Sequence, residues 1–147
     1  MTLTKKTFDM ESNSSNSSRV LSDKQLEGIR LLVVDDAKDN RLLLDRILSR
    51  NGAVVTEASN GQEAVDLALT ETFDLILMDV QMPVMDGLQA TRILREKGYS
   101  KAIIALTAHA LVEERERCIE AGADAHVVKP INFQLLIDTI KNLIKPN

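Results

Sequence analysis

Arg30-Leu31-Leu32-Val33-Val34-Asp35-Asp36 runs five residues of strand character into two adjacent carboxylates. The same plan recurs: Leu75-Ile76-Leu77-Met78 ends at Asp79, the run from Ala102 to Leu106 ends at Thr107, and Val127-Val128 ends at Lys129. Apolar runs of strand length alternate with segments of helical period, which is the pattern of repeated strand-helix-strand units. If the runs are parallel strands, their C-terminal ends share one edge of a sheet, and open α/β sheets carry their ligand sites at that edge. Two carboxylates, a third carboxylate, a hydroxyl and an ammonium then converge there.

Between the runs, Leu44, Ile47 and Leu48 fall at core spacing on a first helix that Asn51-Gly52 closes. A second strand is expected over 53–57, followed by Asn60-Gly61 opening a helix with Ala64, Leu67 and Ala68 on one face. The third strand, 74–78, has almost no polar alternation, as suits a central strand covered on both sides. Met82-Pro83-Val84-Met85-Asp86-Gly87 bends the chain into a helix lined by Ala90, Ile93 and Leu94. The fourth helix, 111–121, is dominated by Glu113-Glu114-Arg115-Glu116-Arg117; its thin apolar face predicts weak anchoring. Phe133, Leu136, Ile137, Ile140 and Ile144 give the last helix its stripe. Right-handed crossovers make this an α/β fold: a five-stranded parallel sheet, doubly wound, with helices on both faces. The flavodoxin-like order 2-1-3-4-5, a common one for such sheets, sets the first and third strands side by side.

Residues 1–28 have another texture. Glu11-Ser12-Asn13-Ser14-Ser15-Asn16-Ser17-Ser18 is too polar to bury a core, so 1–28 reads as a flexible linker or tail and 29–147 as one domain. With 18 Lys+Arg against 22 Asp+Glu the net charge is -4, which argues against direct nucleic-acid binding, since that rests largely on neutralising phosphates. No apolar stretch approaches the roughly 20 residues of a membrane helix, so no membrane insertion by this chain is expected. A cytoplasmic location follows, with membrane tethering only through a larger parent. The one cysteine, Cys118, reads as a small core residue.

Crowded carboxylates are costly: two unit charges about 4 Å apart repel by about 4 kcal/mol at an effective dielectric of 20. A bound dication is the simplest remedy, and all-oxygen ligation points to Mg²⁺, with Mn²⁺ also possible in such a site. Asp79 can then act as a nucleophile in phosphoryl transfer, Lys129 as a cationic clamp and Thr107 as a hydroxyl donor. Each also has an ordinary reading: Asp35 and Asp36 as helix caps, Thr107 as a turn residue, Lys129 as a solvated strand end.

Leu32-Val33-Val34-Asp35-Asp36, the segment from Leu77 through Asp79 to Gly87, Ile104-Ala105-Leu106-Thr107-Ala108 and Val128-Lys129-Pro130 together resemble the motifs of the response-regulator receiver domain of two-component signalling. The wording is nearest to receivers of hybrid sensor histidine kinases. The resemblance implies that Asp79 is the phosphoacceptor, taking its group from a phosphohistidine. It implies that Asp36 ligates Mg²⁺ directly, that Asp35 acts through water, and that Gln81 adds its backbone carbonyl. Thr107 and Lys129 match the phosphoryl contacts that also drive switching, and Lys129-Pro130 matches a bond that is cis in the family. His126 stands where many receivers have a switching Tyr or Phe, and reads either as a core-edge histidine or as a switch residue. The implied partners are a histidine kinase and/or a histidine phosphotransfer protein, with Asn40, Leu43 and Pro130 as docking candidates beside the first helix. Such a chain assists its own phosphorylation without being an independent enzyme. It is a stand-alone receiver or the C-terminal piece of a hybrid histidine kinase.

Three rival readings differ in chemistry. A flavin-binding module needs a Gly-rich phosphate loop where Asp35-Asp36-Ala37-Lys38-Asp39 stands, and these acids repel phosphate. A phosphatase of the haloacid dehalogenase type wants a second acid where this chain has Gln81. An interaction module that works without phosphorylation would not need the acidic site.

Overall fold

The computed structural model describes residues 24–145; of the tail expected over 1–28, residues 1–23 lie outside them. The element order is β1(Arg30–Val34), α1(Lys38–Arg50), β2(Val54–Ala58), α2(Gly61–Thr70), β3(Leu75–Asp79), α3(Gly87–Glu96), β4(Ala102–Thr107), α4(Val112–Ala121), β5(Ala125–Val128) and α5(Phe133–Ile144). All strand pairs are parallel and the sheet order is β2-β1-β3-β4-β5. The α/β class and strand order are those expected.

Side chains alternate across β1, and this divides the core. Leu31 and Val33 meet α1 and α5 through Leu44, Ile47, Leu48, Leu136, Ile137 and Ile140. Leu32 and Val34 point the other way, with Ala64, Val65 and Ala68 of α2 and Ala90 and Leu94 of α3. Every residue of β3 is buried, as its unbroken apolar run requires. A smaller cluster of Val80, Leu88, Ala105, Cys118, Ala121 and Ala123 seats α4, and Cys118 is a buried free thiol.

Helix starts follow side-chain chemistry. Asn60 accepts from the N–H of Glu63, Asp86 from that of Gln89 and Asn132 from that of Leu135, all at 2.8–3.0 Å. Gly122 ends α4 at φ 118°, a left-handed value that favours glycine. Strands β2 and β3 sit one residue later than expected. Asp79 itself pairs with Leu106, while Asp74 is occupied before the strand, its carboxylate accepting from the N–H of Arg30 at 2.8 Å.

Packed structure begins before residue 29, which corrects the expected boundary. Leu26 is buried in the α1/α5 core, and its N–H donates to the carbonyl of Asn51 at 2.7 Å. A single apolar residue among polar neighbours carries too little periodicity to announce this. Among the described residues no helix is long and apolar enough to cross a membrane.

Candidate functional site

Register brings the strand ends level. Val34 pairs with Met78, Asp79 with Leu106 and Thr107 with Val128, so Asp35, Asp79, Thr107 and Lys129 all leave the sheet at one edge. Asp35, Asp36 and Asp79 each offer a carboxylate oxygen, and these atoms lie within 4.8 Å of one another. Asp35 and Asp79 are buried, whereas Asp36 is exposed.

Asp35 does not cap α1. The N-cap is Ala37, without a side-chain bond, and Asp35 Oδ1 instead accepts from the Ala37 N–H at 2.9 Å, closing a turn. Its Oδ2 takes longer contacts, 3.4 Å each, from Asn40 Nδ2 and Lys129 Nζ. Arg41 fixes the backbone behind it: Nη1 donates to the Asp35 carbonyl at 2.8 Å while Nε pairs with Glu57 at 3.1 Å. Lys129 places Nζ 3.1 Å from Asp79 Oδ1. The peptide bond that follows, Lys129-Pro130, is cis.

The electrostatics match this crowding. Burial pushes the Asp79 carboxyl above the usual range, and the charge of Asp35 pushes the same way; Lys129 opposes both, and Asp36 adds to the rise. Burial pulls the Lys129 ammonium down, but the charges and hydrogen bonds of Asp79 and Asp35 more than offset it, leaving its pKa raised. The result is a buried, partly compensated carboxylate beside a fixed cation. Such a group can attack an electrophile that brings its own negative charge, provided further positive charge is supplied.

The remaining expected residues divide. Thr107 reaches the edge, but its Oγ1 donates to Glu114 Oε2 at 3.0 Å and accepts from the His109 N–H at 3.1 Å. Gln81 is exposed and its side chain meets His109 Nε2 at 3.0 Å. His126 reaches the same loop, with Nε2 3.3 Å from the His109 carbonyl. Asn40, Leu43, Lys129, Pro130 and Phe133 line a groove of about 230 Å³ beside the carboxylates. Leu42 and Leu43 are both exposed, at 44% and 46%.

Three contributors escaped the sequence reading. Glu114 is buried within a charged run from which only weak anchoring was expected, and only its seven-residue distance from Thr107 could have hinted at the contact. Arg41 carries nothing in the sequence that sets it apart from the other charged residues of α1. Gly87 was read as a turn residue, yet a Cβ there would fall onto the carbonyl oxygen of Asp79.

Residues 31–141 match the family described as the response regulator receiver domain. The chain belongs to that family. This receiver is 40% identical over 116 residues to the sensor histidine kinase GacS of Pseudomonas protegens, covering 76% of the chain and 13% of that protein. It also resembles the receiver domain of sensor histidine kinase PA1611 of Pseudomonas aeruginosa, a structure with a magnesium ion in its active-site cleft. That match has a TM-score of 0.75 and 37% identity, covering 81% of this chain and 99% of the other. A third likeness is to a Saccharomyces cerevisiae co-crystal of the phosphotransfer protein Ypd1 with the receiver domain of Ssk1. Here the TM-score is 0.75 and the identity 28%, over 80% of this chain and 90% of the other. The receiver spans 8 to 14% of the length of the curated relatives it matches, among them hybrid sensor histidine kinases.

Proposed function

We propose that Asp79 accepts a phosphoryl group from a phosphohistidine, making this receiver one station of a two-component phosphorelay. The observation that carries the reading is the position of the Asp79 carboxylate, grouped with Asp35 and Asp36 and 3.1 Å from the Lys129 ammonium. An oxygen of Asp79 attacks phosphorus, the bond from phosphorus to the imidazole nitrogen breaks, and the nitrogen keeps the electron pair. The product is an acyl phosphate on Asp79. Lys129 then balances phosphoryl charge, and Thr107 offers its hydroxyl to an equatorial oxygen.

Three carboxylate oxygens within 4.8 Å of one another, with no nitrogen or sulfur donor in the group, fit a hard oxygen-seeking dication. Asp35, Asp36 and Asp79 would hold Mg²⁺ together with the backbone carbonyl of Gln81. Bound there, the ion supplies the positive charge that acids and phosphate jointly require. The magnesium ion in the PA1611 receiver supports this choice.

The donor must come within bonding distance of Asp79, so its surface borders the site. The groove of Asn40, Leu43, Lys129, Pro130 and Phe133 answers that need, and the Ypd1 complex of the Ssk1 receiver supports a histidine phosphotransfer protein as occupant. Within a larger chain, a histidine kinase domain of the kind found in the relatives would be the donor. His126 joins Thr107 as a switch residue through the His109 loop. Incubation with a phosphorylated histidine phosphotransfer protein and Mg²⁺ tests the reading. Label is expected to move to the native chain, to stay on the donor with an Asp79→Asn chain, and to slow with Leu43→Glu. Equal transfer to the Asp79→Asn chain would sink it.

A further inference from the structure

Thr107 has one hydroxyl proton, and in this structure it is committed. It goes to Glu114 Oε2 at 3.0 Å, while Glu114 Oε1 accepts from Arg117 Nη1 at 3.0 Å. Glu114 is 6% exposed, yet its neighbours in the run from Glu113 to Arg117 face solvent. The other buried residues of α4, Cys118 and Ala121, lie in its C-terminal half, and Leu111 and Val112 at its start are each 65% exposed. Glu114 is therefore the inward anchor of the first turns of α4, and Thr107 is what it holds. A hydroxyl cannot donate that proton to Glu114 and to a second acceptor at Asp79 together.

We infer that Glu114 is a positioning residue whose carboxylate competes with a phosphoryl oxygen on Asp79 for the Thr107 hydroxyl. The inference rests on the phosphoacceptor reading above. No proton leaves Thr107: its bond to Glu114 breaks and one to the phosphoryl oxygen forms. Glu114 then keeps Arg117, whose side chain is 62% exposed, and the pair is free to turn outward. The start of α4 loses its inward anchor, so chemistry at Asp79 becomes a change of packing about one helix away.

Beryllofluoride with Mg²⁺ imitates an acyl phosphate, and calorimetric titration suits a chain without tryptophan. Glu114→Gln replaces a charged acceptor with a weaker neutral one, so it is expected to bind beryllofluoride about fivefold tighter. Arg117→Ala leaves the Glu114 carboxylate more dependent on Thr107, so binding is expected to weaken about twofold. In a Thr107→Ala background the Glu114→Gln gain should vanish. A gain that persists there, or unchanged binding by Glu114→Gln when the native chain binds, overturns the competition but leaves the phosphoacceptor reading standing. Failure of the native chain to bind at all overturns both. Should Glu114→Gln not fold, amide exchange on the native chain decides: beryllofluoride must lower protection over residues 112–116, and unaltered protection contradicts the inference.

Discussion

Lys129 reaches across the end of β4 to set its ammonium 3.1 Å from a carboxylate oxygen of Asp79, on a strand that is not its neighbour in the sheet. The contact depends on the level strand ends, and each partner is partly withdrawn from water, with side-chain exposures of 26% and 6%. Lys129→Met keeps the stem and removes the charge. At pH 7 it leaves Asp79 and Asp35 uncompensated, with an expected cost of about 1–3 kcal/mol in urea unfolding. Because the raised Lys129 pKa keeps the ammonium charged throughout the neutral and acidic range, the cost should shrink as acid neutralises the carboxylates. An unchanged unfolding midpoint at pH 7 would mean that the pair contributes nothing.

Asp79 supplies a pH dependence of its own. Folding raises its pKa, chiefly through burial and then through Asp35, so the protonated form is favoured in the folded state. Its stabilising share is complete below the ordinary value of 3.8 and is lost as pH rises through the folded pKa. Ionised Asp79 thus weakens the fold at neutral pH. Asp79→Asn is expected to raise the thermal midpoint at pH 7 without divalent cations by about 3 °C. Thermal melts should show that advantage fading as pH falls toward the ordinary value, and a gain that grows in acid would contradict the cause assigned here.

Gly87 lets α3 begin against the backbone of Asp79. Its N–H donates to the carbonyl of Val80 at 2.9 Å, and a Cβ would collide with the Asp79 carbonyl. Both atoms involved are backbone or rigidly attached to it, so neither side can yield easily. Gly87→Ala should destabilise by about 2 kcal/mol or more in denaturant titrations. A stability equal to native would show that the loop has room to shift.

Leu26 precedes the first strand but fills the core between α1 and α5. Truncating it to alanine removes buried methyl groups from a packed site, with an expected loss of about 2–5 kcal/mol. Denaturant titration of Leu26→Ala beside Glu27→Ala, an exposed neighbour, separates packing from a general effect of the segment. Equal behaviour of the two variants would refute the role given to Leu26.

The strand and helix pattern was legible because the core of this fold is written in runs: β1, β3 and β4 are apolar almost without interruption, and α1 and α5 repeat leucine and isoleucine at helical spacing. The acidic cluster and Lys129 were legible for a related reason, since parallel strands deliver whatever follows them to one edge. What stayed hidden depends on tertiary direction. Nothing in Glu113-Glu114-Arg115-Glu116-Arg117 tells which acid turns inward. Thr107 was expected to face the carboxylates, yet its proton goes to the buried carboxylate of Glu114 at 3.0 Å. Gly87 announces a bend, but the closeness of the Asp79 backbone appears only once β3 and α3 are placed together.

Intact-mass measurement after incubation with Mg²⁺ and a small-molecule phosphodonor such as acetyl phosphate bears most directly on Asp79 as the phosphoacceptor. The native chain is expected to gain the mass of one phosphoryl group, to lose that gain when the dication is chelated beforehand, and to show none of it as Asp79→Asn. A phosphoryl adduct of equal occupancy on the Asp79→Asn chain would contradict the assignment.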